Sequence, residues 1–334
     1  MTRLPIEGVL PEIRASFSTH HNLVLRADPG AGKTTRVPLA LLDEPWLAAK
    51  KIFMLEPRRL AAQRAAAYMS QQLGERVGAT VGYRIRGEHQ VSRTTRIEVV
   101  TEGILTRMLQ EDPSLAGAGL IIFDEFHERS IHADLGLALS VNAQEHLRPD
   151  LRILVMSATL DGTAVASILG DAPVITSEGR AYPVVTHYLE QPAGGPIEPT
   201  VVSAVLRALR KDAGDLLVFL PGQREIRRVD GLLSEADLPP GVSVHLLYGE
   251  APPERQKAAL TPAGPGKRKV ILATSVAETS LTIDGTRVVI DAGLARSARF
   301  DPQRGMSGLV TGPVSKAAAD QRRGRAGRDR KSVV

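Results

Sequence analysis

The sequence predicts an α/β protein of two tandem domains, each a parallel sheet flanked by helices. Three observations carry that expectation. Short β-rich apolar runs alternate with longer stretches of helical spacing. The alternation breaks at Glu178–Pro183 and in the Pro/Gly-rich stretch Gln191–Pro199, then restarts. A glycine-rich loop follows the first strand and opens a helix. We therefore expect one domain over residues 1–180 and a second over 181–328, with 329–334 left as a tail.

In the first half, strands are expected at Asn22–Ala27, Lys51–Glu56, Ile97–Thr101, Leu120–Asp124 and Arg152–Met156. Their nearly unbroken apolar character suits parallel strands covered on both faces. Helices are expected at Thr34–Asp43, Leu60–Leu73, Gly103–Gln110 and Ala133–Leu147. In the second half, strands are expected at Leu216–Leu220, Val242–Tyr248, Lys269–Thr274 and Arg287–Asp291. Helices are expected at Glu198–Lys211, Gly222–Ser234 and after Ser315.

With 334 residues and 43% apolar content, the chain can build two ordinary cores. A formal charge of +5 is compatible with a polyanionic partner without demonstrating one. There are no cysteines, which excludes disulfides, thiolate zinc sites and iron–sulfur clusters. The histidines show no metal-ligand spacing, and no apolar run approaches the ~20 residues of a membrane helix. Met1–Ile6 is not a signal peptide. These features fit a cytoplasmic location and no membrane partner.

The loop Ala27-Asp28-Pro29-Gly30-Ala31-Gly32-Lys33-Thr34 matches the phosphate-binding pattern G-x-x-x-x-G-K-[ST] except that Ala27 replaces its first glycine. Gly30 and Gly32 let backbone N–H groups turn toward phosphate oxygens, and the new helix adds its N-terminal amides. Ala31 and Thr35 complete this cradle. Lys33 would reach the β- and γ-phosphates, and the Thr34 hydroxyl would ligate Mg²⁺. The bland alternative is a glycine-rich turn with an incidental lysine. Further on, Ile121-Ile122-Phe123 runs straight into Asp124-Glu125. Asp124 at a strand's carboxyl end would hold Mg²⁺ through water, and Glu125 would take a proton from an attacking water. Alone, the pair is equally a solvated turn. Together the two motifs make nucleoside triphosphate hydrolysis the default expectation, with ATP first and other NTPs possible.

Asp124-Glu125-Phe126-His127-Glu128-Arg129 resembles the DEAH box of RNA and DNA helicases. Glu56-Pro57-Arg58-Arg59-Leu60 resembles their motif Ia, Thr101-Glu102-Gly103 motif Ib, and Ser157-Ala158-Thr159 motif III. Phe219-Leu220-Pro221-Gly222-Gln223 resembles motif IV, Thr274–Gly285 motif V, and Gln321-Arg322-Arg323-Gly324-Arg325-Ala326-Gly327-Arg328 motif VI. The motifs stand in family order across nearly the whole chain, which is identified as resembling superfamily 2 DEAH/RHA helicases. Phe126 in place of the usual alanine points to the bacterial HrpB-type subgroup.

The resemblance implies two RecA-like P-loop domains with ATP bound between them and a single strand of RNA or DNA crossing both. It implies that Gln321 places the attacking water and that Arg325 and Arg328 act as arginine fingers. Asp284 becomes a ribose contact. His127, Ser157 and Thr159 couple the nucleotide site to the other domain. Arg58, Arg86, Thr101, Gly222 and Thr274 become strand contacts, although Gly87 stands where the family has a phenylalanine beside Arg86. The positions that sandwich adenine in eukaryotic members fall near Tyr68 and Leu260. The readings left open are a helicase or translocase, an NTP-driven clamp or remodeller that separates no duplex, and a non-catalytic binding module.

Family members continue past motif VI with further domains. The tail Asp329–Val334 does not resemble that continuation and equals one reading frame of a common sequencing adapter. The expectation is that the natural chain is longer and that these residues are foreign to it.

Overall fold

The computed structural model describes residues 4–28, 30–158, 162–178, 183–189, 195–278, 283, 285–303, 305–326 and 332–333. The expectations at Thr159, Asp284 and Arg328 lie outside these residues. The chain divides into two compact units, Met1–Arg180 and Ala181–Val334.

In the first unit the order is α1 (Leu10–Thr19), β1 (Asn22–Ala27), α2 (Lys33–Ala40), β2 (Lys51–Glu56), α3 (Arg59–Gln72), β3 (Val81–Ile85) and β4 (Glu88–Gln90). It continues with β5 (Ile97–Thr101), α4 (Glu102–Glu111), β6 (Ala118–Phe123), α5 (Ile131–His146), β7 (Arg152–Ser157), α6 (Gly162–Ile168) and β8 (Val174–Ser177). The sheet runs β4-β3-β5-β2-β6-β7-β1-β8. All its pairings are parallel except the edge pair β3–β4.

Strand periodicity divides this core into two layers. Leu23, Leu25, Ile52, Met54, Leu120 and Ile122 pack into one cluster with residues of α1 to α3. Their alternates Val24, Phe53, Leu55, Ile121 and Phe123 pack into a second cluster with residues of α4 to α6. Side chains of successive strand residues point to opposite faces, so a doubly covered strand is apolar throughout. That explains the fully buried run of β6.

The second unit contains β9 (Val184–Val185), α7 (Ile197–Lys211), β10 (Asp215–Phe219), α8 (Gln223–Ser234), β11 (Val242–Leu247) and α9 (Pro253–Leu260). Then come β12 (Arg268–Ala273), β13 (Thr286–Asp291), β14 (Leu294–Asp301), β15 (Met306–Pro313), α10 (Lys316–Gly324) and β16 (Ser332–Val333). Its parallel sheet runs β11-β12-β10-β13-β16-β9. Two residues of the tail thus pair in this sheet, where the sequence reading gave the tail no fold role. β14 and β15 form a separate antiparallel hairpin. Among the described residues, no helix is long and apolar enough to cross a membrane.

Candidate functional site

In the sheet of the first unit, β2, β6, β7 and β1 are consecutive neighbours. Their carboxyl ends therefore lie side by side, where open α/β sheets place ligands. Glu56 ends β2, Asp124 and Glu125 follow β6, Ser157 ends β7, and the phosphate loop follows β1.

The loop is held open by left-handed backbone. Gly30 has φ +87° and Gly32 has φ +95°, a region that side chains disfavour. A Cβ on Gly32 would stand 2.8 Å from Leu4 Cδ1, so a larger residue would also have to push that side chain aside. The Ile6 N–H donates to the Ala31 carbonyl at 3.2 Å, which ties the loop to the chain's beginning. Lys33 and Thr34 open α2, and the Thr35 N–H donates to the Gly32 carbonyl at 3.3 Å.

Lys33 Nζ donates to Glu125 Oε1 at 2.8 Å and lies 4.0 Å from Asp124 Oδ1. Thr34 Oγ1 donates to Asp124 Oδ2 at 2.5 Å. The Glu125 N–H donates to Asp124 Oδ1 at 2.8 Å. Glu125 itself adopts φ +49°, a strained setting for a residue with a side chain, of the kind that clusters at working sites. His127 Nε2 sits 3.4 Å from Glu125 Oε2, and its Nδ1 accepts the Ala158 N–H at 3.3 Å. This places His127 between the Asp124-Glu125 pair and the Ser157-Ala158 segment. Phe126 is buried, edge-on to Phe123 with ring centroids 6.1 Å apart, so the residue that marks the subgroup packs rather than reacts.

Charge in this pocket is unbalanced. Burial raises the Asp124 carboxyl to about 6, with Lys33 opposing and Glu125 assisting. Burial alone would lower Lys33, yet the Glu125 and Asp124 carboxylates carry it above its ordinary value. Burial also lowers His127, against the pull of Glu125, so the ring is neutral at pH 7. Glu56 opens the motif Ia segment, and the sequence assigns it no role. It is fully buried beside Asp124. Burial, Asp124 and Glu125 push it well above its ordinary value. The signal was available in the sequence: Ile52-Phe53-Met54-Leu55 runs into Glu56 as Ile121-Ile122-Phe123 runs into Asp124.

These donors fit Mg²⁺. A hydroxyl and a carboxylate converge, and a second buried acid lies beside them. Among the described residues no group of three or more His, Cys, Asp or Glu could hold a metal ion alone. Mg²⁺ keeps most of its waters and leans on substrate phosphates, so a hydroxyl and one carboxylate would suffice to hold it.

The strand-contact expectations scatter over loop tips and strand ends. Arg86 is exposed in the β3–β4 turn, next to Gly87 with φ +80°. Arg58 precedes α3, and its Nη2 lies 3.2 Å from Glu128 Oε2. Thr101 ends β5 and precedes α4. Tyr68 is half-exposed on α3, whereas Leu260 is buried at the end of α9.

In the second unit Gly222 precedes α8 and is covered by Arg296. An added Cβ would stand 2.8 Å from that guanidinium carbon. Thr274 follows β12 and caps the turn Ser275–Ala277, its Oγ1 accepting the Val276 N–H at 3.5 Å. Gln321 and Arg325 are buried, and Arg325 Nε donates to the Glu278 carbonyl at 2.7 Å. Arg322, another residue given no role from sequence, is buried between Glu278 and Asp291.

Comparison with known proteins gives one consistent picture. Residues 9–168 match the DEAD/DEAH box helicase family, and residues 200–330 match the helicase conserved C-terminal domain. The chain is 49% identical over 328 residues to the ATP-dependent RNA helicase HrpB of Escherichia coli strain K12, covering 98% of this chain and 40% of that protein. It is 39% identical over 331 residues to the pre-mRNA-splicing factor ATP-dependent RNA helicase prp22 of Schizosaccharomyces pombe, covering 97% of this chain and 28% of that one. A crystal structure of the Escherichia coli DEAH/RHA helicase HrpB superposes with a TM-score of 0.93 at 48% identity, over 99% of this chain and 42% of that chain. The chain thus spans less than half the length of these relatives.

Proposed function

The chain belongs to the DEAD/DEAH box helicases, and on that footing we propose that it is the ATP-driven motor portion of a nucleic-acid helicase or translocase. Single-stranded RNA is the favoured track, since both named relatives are RNA helicases. The reading takes the cysteine-free chain to work in a reducing cytoplasm. The observation that carries the catalytic part is the convergence of Lys33, Thr34, Asp124 and Glu125 at the carboxyl ends of β1 and β6.

In this reading the amides of residues 30–35 and the Lys33 ammonium bind the ATP phosphates. Lys33 then exchanges its bond to Glu125 for phosphate oxygens. That exchange frees Glu125 to accept a proton from the attacking water. Thr34 and Asp124 would hold Mg²⁺, which when bound neutralises charge on the β- and γ-phosphates. Neutral His127 relays the state of Glu125 to the Ala158 backbone, and Ser157 and Thr159 belong to the same relay. From the second unit, Gln321 orients the water, Arg325 and Arg328 stabilise the charge of the transition state, and Asp284 meets the ribose. Arg58, Arg86, Thr101, Gly222 and Thr274 follow the strand's backbone, so affinity depends on salt more than on sequence.

The test is the phosphate-release rate of this chain with Mg²⁺ and ATP, with and without single-stranded RNA or DNA. The reading predicts turnover that either strand stimulates, RNA more strongly. Turnover indifferent to both strands contradicts it. Stimulated turnover with no separation of a tailed duplex reduces the function to a translocating clamp.

A further inference from the structure

Arg322 is among the largest fully buried side chains, with 1% of its surface exposed. Its Nε donates to Glu278 Oε1 at 2.7 Å, and its Nη2 lies 2.5 Å from the same oxygen. Its Nη1 donates to Asp291 Oδ1 at 2.6 Å and to the Leu294 carbonyl at 3.3 Å. The guanidinium also stacks 4.9 Å from the centroid of Phe219. One side chain on α10 therefore joins the segment after β12, the ends of β10 and β13, and the start of β14.

Glu278 holds two arginines at once. Its carboxylate takes Arg322, and its backbone carbonyl takes Arg325 Nε at 2.7 Å. Upstream, the Glu278 N–H donates to the Ser275 carbonyl at 3.0 Å, and the Ala277 N–H donates to the Thr274 carbonyl at 3.1 Å. The path from Thr274 to Arg325 is thus a single hydrogen-bonded turn plus one carbonyl. Asp291 also accepts the Gly293 N–H at 2.9 Å, which fixes the root of the β14–β15 hairpin. Stability is a poor reason for this joint. Well-packed apolar side chains in place of a buried ion-pair cluster are often neutral or stabilising. A planar fork bridging two carboxylates supplies direction instead, and lysine cannot copy it.

We infer that Arg322 is a positioning residue whose buried joint fixes Arg325 relative to the Thr274 turn, so that strand binding and transition-state stabilisation share one rigid element. This inference rests on the motor reading above. It goes beyond it by assigning the coupling within the second unit to Arg322 and Glu278, two residues to which the motor reading gives no substrate contact.

The test compares wild type with Arg322→Lys, which keeps the charge and loses the bridge. Three quantities are read: thermal melting, affinity for ADP and for ADP with aluminium fluoride, and kcat and KM for ATP with and without strand. Rates are expressed per ADP-binding site, so that misfolded chain does not count. The expected result is a folded variant with lowered melting, since one buried bridge is lost, and near-wild-type ADP affinity and KM. Strand-stimulated kcat and aluminium fluoride affinity each fall roughly 10- to 100-fold, the scale of a small misplacement of a catalytic group. Should Arg322→Lys fail to fold, Glu278→Gln keeps the carbonyl that holds Arg325 and is expected to show the same loss. A folded variant with wild-type stimulated kcat overturns the inference and leaves the motor reading standing. Loss of melting temperature and site count with normal kcat per site also overturns it, since that marks a purely structural pair. Absence of stimulation in the wild type removes the motor reading itself, and the inference with it.

Discussion

At the strand ends of the first unit, Glu56, Asp124 and Glu125 surround a single Lys33, whereas in the second unit Arg322 and Arg325 meet Glu278 and Asp291. Both clusters are buried or half-buried, yet their charges are balanced differently. In the first, the carboxyls of Asp124 and Glu56 are pushed upward because burial and neighbouring acids outweigh one ammonium. In the second, one guanidinium, that of Arg322, bridges both carboxylates. The difference separates two tasks. On the proposed reading, a cluster short of positive charge would take a metal ion and let Lys33 exchange onto phosphate. A cluster that satisfies itself holds its own members in place, which is what a positioning joint requires.

The comparison breaks most severely at Lys33. Lys33→Ala is expected to weaken nucleotide binding by on the order of 100-fold, through loss of charge-assisted bonds to phosphate. It also leaves three buried acids without a cation, so melting should fall by an amount equivalent to about 3 kcal/mol. Fluorescent-nucleotide titration and a thermal melt measure both. Undiminished nucleotide affinity would show that the first-unit cluster does not hold phosphate.

A smaller effect sharpens the same contrast. Glu56 has a folded-state pKa above its ordinary 4.5, so the folded chain holds this proton more tightly than the unfolded chain. Its contribution to stability is present below pH 4.5 and is lost as pH rises toward the raised folded value. Glu56→Gln cannot titrate. Without Mg²⁺ or nucleotide, the variant's melting temperature should therefore gain on wild type as pH rises from 4.5 to neutrality. Parallel melting curves would show that Glu56 has a partner that compensates its burial.

What could be read from sequence depended on burial. β1, β2 and β5 appear with the bounds their apolar runs predicted, because strands covered on both faces are apolar at every position. β3 was missed because Gly82 and Arg84 interrupt its pattern, and α6 and β8 because they are short. The hairpin β14–β15 was missed because it packs little into the core: Phe300, Met306 and Leu309 are exposed, so no alternation marks it. The grouping of Lys33, Thr34, Asp124 and Glu125 follows from local motifs at strand ends. Glu56 and Arg322 had no motif role. Their standing comes from neighbours distant in sequence, Asp124 for one and Glu278 with Asp291 for the other.

The central claim is that the first-unit cluster is an ATP-hydrolysing site with Glu125 as its base. Glu125→Gln tests it most directly, because the amide keeps the shape and cannot take the water's proton. Phosphate release under saturating ATP and strand should fall by roughly 100- to 10,000-fold while ATP affinity stays within a few-fold of wild type. Turnover at the wild-type rate, with ATP bound as before, would contradict the account.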